Sequence, residues 1–207
     1  MDIRANTPAA TDQLAKATQW WDQCSEPWKR AFNEVVLKRN STEALPDELL
    51  VVVYTSPSHR FAGPEAPYPN MSFELEDLSG LVGLPNIEVL VVVFHQLTHI
   101  QEVKNMPSLR SLFVHNNHIT SLEGIQALPD LLELYIQCNE IPSLLPLAGL
   151  VYLKNLYCNH NLIDSLDGIG PQQAEDLENF FCLPNPNLKD KVVFAFEQEV
   201  RIRCRKA

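Results

Sequence analysis

No stretch of this 207-residue chain supplies the roughly 18 consecutive apolar side chains needed to span a bilayer, and its start, "MDIRANTPAATDQL", lacks the apolar centre of a signal peptide. Both features predict a cytoplasmic protein with no membrane partner. Positive charge is also scarce. With 16 Lys and Arg against 26 Asp and Glu, the formal charge is −10. Affinity for nucleic acid rests largely on basic residues neutralising phosphates, so no nucleic-acid partner is expected. The five cysteines are odd in number and lack paired spacing, which fits free thiols in a reducing compartment better than a disulfide framework. The Asn-x-Ser/Thr matches at Asn40 and Asn70 carry no weight without secretion. There is no Cys-x-x-Cys, His-Glu-x-x-His, glycine-rich phosphate loop or Gly-x-Ser-x-Gly, so neither a catalytic signature nor a metal or cofactor site is expected.

What the sequence does contain is a repeat of period 22. With Leu109 as position one, the frame L-x-x-L-x-L-x-x-N-x-I-x-x-L-x-x-I-x-x-L is filled by Leu109, Leu112, Val114, Asn117, Ile119, Leu122, Ile125 and Leu128. Leu131, Leu134, Ile136, Asn139, Ile141, Leu144, Leu147 and Leu150 occupy the same slots one period later, and the next repeat begins Leu153, Leu156, Cys158, Asn161, Ile163. One period earlier stand Ile87, Leu90, Val92, His95, Leu97, Ile100, Val103 and Met106, with histidine in the asparagine slot. A half repeat precedes (Leu75, Leu78, Leu81, Leu84), and a degenerate one follows a two-residue insertion (Leu177, Phe180, Cys182, Asn185), making about five turns.

A unit of this size cannot bury its apolar face alone, so successive units must stack. Positions four and six then point inward from a short strand. Position nine lies where the chain turns off the strand. The amides of Asn117, Asn139 and Asn161 can there satisfy backbone groups left unpaired by the turn, a structural role. Positions two, three, five, seven and eight point outward and are free to vary.

Position five reads Val91, Phe113, Tyr135, Tyr157, Phe181. At about 4.8 Å between strands, the four rings form a ridge of roughly 15 Å. His115, Gln137 and Asn159 flank it at position seven, and Asn116, Cys138 and His160 at position eight. One reading is that the rings merely stack on one another, contributing roughly 0.2 to 1 kcal/mol per pair. The other is that exposed aromatics among polar groups form a contact surface. A third role, a Cys138 nucleophile activated by His115 or His160, would need an adjacent base and an oxyanion site, and nothing in the sequence provides the latter.

The frame resembles the leucine-rich repeat family, specifically the 22-residue class of a protein phosphatase 1 regulatory subunit and of bacterial internalins. The resemblance covers residues 73–187. It implies an α/β solenoid, a right-handed superhelix with a curved parallel sheet, capped at both ends. The tryptophan-rich start is similar to the helical caps of small cytoplasmic bacterial members. Residues 1–62 are thus expected to form a helical cap, 63–72 a proline-rich connector and 188–207 a C-terminal cap with a basic tail. Within the first cap, Leu14, Ala17, Trp21, Trp28, Phe32 and Val35 fit two helices, the second opening at Ser25 with Pro27 in its first turn. Residues 46–55 read as either helix or strand, and so does "LKDKVVFAFEQEV", where Leu188, Val192, Phe196 and Val200 recur every four residues. "SPSHRFAGPEAPYPNMS" reads as an ordered loop or a mobile flap, and either it or the N-terminal cap is expected to cover part of the apolar Val89, Val91, Val93 and Phe94.

The function implied is that of a monomeric, non-catalytic adaptor or scaffold binding a protein or peptide on its concave face. The alternative is a regulatory subunit of an enzyme such as a phosphatase, or a bacterial effector acting on host proteins.

Overall fold

The computed structural model describes residues 8–206. Three helices come first: α1 (Pro8–Gln23), α2 (Glu26–Leu37) and α3 (Asp47–Thr55). Seven strands follow in one parallel sheet whose spatial order is the chain order: β1 (Ser58–Ala62), β2 (Val89–Val93), β3 (Ser111–Phe113), β4 (Glu133–Tyr135), β5 (Asn155–Tyr157), β6 (Asn179–Leu183) and β7 (Arg205–Lys206). Helix α4 (Asp190–Val200) lies between β6 and β7 in sequence. From β2 to β5 the return segments carry short 3-10 turns, including Gln101–Asn105, Ile125–Ala127 and Leu145–Leu147. This is the expected open α/β solenoid.

Strand register reproduces the period: Leu90, Leu112, Leu134, Leu156 and Phe180 pair in succession. All five are buried, as are the frame residues of the return segments, in one continuous apolar core that also includes Trp20, Trp21, Trp28 and Phe32 of the cap. Cys158 and Cys182 lie in that core too; burial holds the Cys158 thiol far above its ordinary pKa, and a hydrogen bond with Cys204, then burial, does the same for Cys182.

The asparagine column does the expected structural work. Asn139 Nδ2 donates to the carbonyls of Val114 (3.0 Å) and Ile136 (3.1 Å), while its Oδ1 accepts from the Ile119 amide at 2.9 Å. Asn117 and Asn161 repeat the pattern on Val92, Val114 and Leu97, and on Ile136, Cys158 and Ile141. Asn185 extends it past the insertion, accepting from Asn161 N at 2.7 Å and donating to Cys158 and Cys182. His95 does not interrupt the acceptor half of the column, because its Nδ1 takes the Leu75 amide at 3.1 Å, the counterpart of the Leu97 and Ile119 contacts. Burial lowers its pKa to about 4, with the Phe61 carbonyl as a smaller opposing influence. His95 is therefore neutral and structural.

At the N-terminal end, Trp20 Nε1 donates to the Gly80 carbonyl and Trp28 Nε1 to Asp77, each at 3.0 Å. Gly80 must lack a side chain, since a Cβ there would stand 2.1 Å from Trp28 Cγ. Ser25 occupies the N-cap of α2 with Pro27 in the first turn, but its hydroxyl makes no capping bond. Of residues 46–55, Asp47–Thr55 form helix after an N-cap at Pro46, with acidic Asp47 and Glu48 in the first turn and Leu50 and Val53 buried.

Two sequence expectations need correction. The stretch from 56 to 72 is not loop throughout. Its "SHRFA" forms β1 and pairs with β2, because Phe61 and His59 fill the inward slots against the cap. The basic tail expected on the C-terminal cap also joins the sheet. Ile202 and Cys204 are buried, and Arg205 and Lys206 pair with Phe181 and Leu183 as a seventh strand. Before them, the stretch read as helix or strand forms α4, packing Phe196 at 5.9 Å from Phe180.

Candidate functional site

The half of each strand residue set that does not enter the core lines the open face of the sheet. Along β3 to β5, burial alternates half-buried, buried, half-buried, so Phe113, Tyr135 and Tyr157 stand outward beside inward leucines. Phe181 does the same in β6. Parallel in-register pairing brings these four residues side by side, and the rings form a continuous stack. Centroids are 4.5 Å apart in each of the three pairs, with interplanar angles of 20°, 11° and 14°. Each inner ring spends its two faces on its neighbours, so the stack turns its edges, with the Tyr135 and Tyr157 hydroxyls, to the open face. Burial, then the neighbouring Tyr157 and Glu133, raise the Tyr135 pKa.

The stack ends on a second, small apolar cluster. Ala62, Ala66 and Val93 are buried together, with Val91, Phe94 and Phe113 packed against them. Ala66 comes from the proline-rich connector, which thus covers part of the first apolar turn as expected. On one side of the rings runs a polar row the sequence reading did not single out. Ser111 Oγ donates to Glu133 at 2.8 Å, Asn155 donates to Glu133 at 3.2 Å, and Asn179 donates to Asn155 at 2.7 Å. Arg205 completes it through Asn179. Its signal was available in the period, as position three of each repeat.

On the other side the flanking residues divide. His115 is half-buried, edge-on to Phe94 at 5.8 Å and bonded to Asn116 at 2.7 Å, and burial lowers its pKa. Gln137 is half-buried and His160 exposed. Asn159 departs from expectation. It is only 4% exposed, and its Oδ1 has no hydrogen-bond partner. The Asn159 amide donates to Phe181 O at 3.1 Å and the His160 amide to Pro184 O at 2.6 Å. Position eight is not free to vary either. Phe94, Asn116, Cys138 and His160 all hold φ between 55° and 58°, a left-handed turn repeated at each level.

Burial raises the Cys138 thiol above its ordinary pKa, the opposite of the shift an activated nucleophile needs. Among the described residues no group of three His, Cys, Asp or Glu side chains is placed to hold a metal ion. Nor, among them, is any helix long and apolar enough to cross a membrane.

A family model described as leucine-rich repeats in two copies matches residues 107–149. Among solved structures, an internalin (inlF) of Listeria monocytogenes is similar with a TM-score of 0.50 and 27% identity, covering 58% of this chain and 34% of its own length. A leucine-rich repeat protein of Leptospira interrogans follows with a TM-score of 0.47 and 25% identity over 54% of this chain and 29% of that one. An internalin C2 of Listeria monocytogenes gives 0.45 and 19% identity over 80% of this chain and 86% of its own. The chain thus spans about a third of the length of the first two. No protein of the curated sequences matches significantly. The 22-residue frame, the parallel sheet that follows it in register and the family match over residues 107–149 together show the fold of a leucine-rich repeat solenoid.

Proposed function

We propose that the protein is a non-catalytic interaction module that binds a protein or peptide on the concave, open face of its sheet. The observation that carries this is the four-ring stack of Phe113, Tyr135, Tyr157 and Phe181, half-exposed on a face whose opposite side already holds the whole core. A fold needs only the inward half of each strand to be apolar. An outward aromatic column with polar neighbours has the composition of an interface hot spot, where rigid rings supply contact area at low entropic cost. Phe113, Tyr135, Tyr157 and Phe181 form the centre of the contact, and His115, Asn116, Gln137 and His160 its polar margin. Asn159 is too deeply buried to touch a partner directly and supports the turn instead.

The test is affinity capture with the full chain as bait, run beside a Tyr135→Ala, Tyr157→Ala double variant. A protein retained by the parent and lost from the double variant is the expected result. Retention of every captured protein by a folded double variant would remove the ridge from the binding surface.

A further inference from the structure

The column that carries the rings does not stop with them. In the strand register Arg60 of β1 pairs with Val91, and Arg205 of β7 pairs with Phe181. Across all seven strands position five therefore reads Arg60, Val91, Phe113, Tyr135, Tyr157, Phe181, Arg205. An arginine closes the apolar column at each end. Both are exposed, and both are anchored. Arg60 donates to the Tyr68 carbonyl at 2.6 Å, and the Arg205 guanidinium lies over the Phe181 ring, 5.8 Å from its centroid, while bonding Asn179. Lys206, paired with Leu183, adds a third cation at the C-terminal end. The outward strand positions hold one carboxylate, Glu133, and Ser111 and Asn155 already engage it. Position two adds Glu88, Arg110, Lys154 and Glu178 beside the strands, but in a protein of formal charge −10 the ring column itself is closed by a cation at each end.

We propose that the occupant of this face is an amphipathic segment of a partner protein whose apolar stripe is bounded at both ends by acidic residues. This rests on the open face being the contact surface and names the chemistry that would fit it. Six strand spacings of about 4.8 Å separate the arginines by roughly 29 Å, the length of a helix of about 19 residues or an extended segment of about nine. Apolar side chains of the segment lie on the ring edges, and its terminal carboxylates meet Arg60 at one end and Arg205 and Lys206 at the other. Complementary end charges fix register and speed association, and salt weakens them.

The experiment is selection of binders from a random displayed peptide library on the full chain, followed by fluorescence-anisotropy titration of the synthetic peptides. Four proteins are titrated: the parent, Tyr135→Ala with Tyr157→Ala, Arg60→Glu with Arg205→Glu, and Arg60→Glu with Lys206→Glu. The last keeps the Arg205 contacts, so loss of folding by the other charge variant leaves the question answerable; circular dichroism checks each. The expected peptides carry Asp or Glu on both sides of an apolar core. They need the tyrosines, bind either charge-reversed protein about tenfold more weakly, and bind the parent more weakly as salt rises. Peptides that need the tyrosines but show no acidic bias, or ignore the charge reversals, would overturn the end-charge inference and leave the open-face reading intact. Peptides indifferent to the tyrosines, or a selection that yields no binder, would count against both.

Discussion

Two columns of side chains run the length of this solenoid at the same period, and they have opposite fates. The asparagines at 117, 139, 161 and 185 are buried, each side chain bonded to backbone groups on more than one level of the stack. The rings at 113, 135, 157 and 181 are half-exposed and stack sideways on one another, with a small apolar cluster against Phe113 and Arg205 over Phe181 at the two ends. A regular repeat reproduces whatever occupies a slot, so regularity by itself does not separate structure from function. The direction of the contacts does. Inward contacts satisfy polar groups that water cannot reach, whereas the outward stack leaves edges and hydroxyls for something else to meet.

The sharpest way to break the comparison is to remove one inner member. Asn139→Ala strands the Ile119 amide and the carbonyls of Val114 and Ile136, and should cost about 3 kcal/mol in urea unfolding, since a buried group left unsatisfied costs about 1 to 3 kcal/mol. A loss below about 0.5 kcal/mol would show that the column is not what holds the turns.

The exceptional inner member gives the next largest effect. His95 and His59 are both buried, with pKa values lowered to about 4. The unfolded chain takes up their protons near pH 6.5, and the folded chain only near 4, so stability is complete above about 6.5 and falls as pH drops through that window. Each histidine should account for about 2 kcal/mol between pH 7 and 5. A protonated His95 could not accept the Leu75 amide, so His95→Asn, which restores the ladder residue, should flatten the pH dependence by about half. An unchanged acid slope in that variant would place the sensitivity elsewhere.

A smaller effect separates two asparagines two places apart. Asn161→Ala should resemble Asn139→Ala, whereas Asn159→Ala removes a buried oxygen that has no partner and should cost less than about 1 kcal/mol by thermal or urea melts. Equal losses would mean that Asn159 belongs to the inner column.

Much of this was legible because the physics repeats. Leu134 and Asn139 are held in place by equivalents 22 residues away on either side, so each slot is read several times over. Legibility failed where the copies stop. β1 lies 31 residues before β2 by register (Ser58 with Val89), so no frame connects them, and its inward Phe61 and His59 answer to the cap rather than to a repeat. β7 is two basic residues with no apolar pattern, and only its pairing with β6 reveals it. The burial of Asn159 was not legible at its own position, because the same slot holds half-buried His115 and Gln137 in the preceding repeats. The ring column was visible in the sequence; its arginine ends were not, because they sit on those two unreadable strands.

The measurement that tests the division of labour most directly compares two double variants, Tyr135→Ala with Tyr157→Ala and Asn139→Ala with Asn161→Ala, for unfolding free energy and for affinity toward a partner captured by the parent. The aromatic pair should unfold cooperatively with the smaller loss of stability and yet bind roughly thirtyfold or more weakly, the consequence of losing at least about 2 kcal/mol of contact. The asparagine pair should lose the most stability while whatever fraction remains folded binds normally. An aromatic double variant that binds as tightly as the parent, or that loses as much stability as the asparagine pair, would contradict the account.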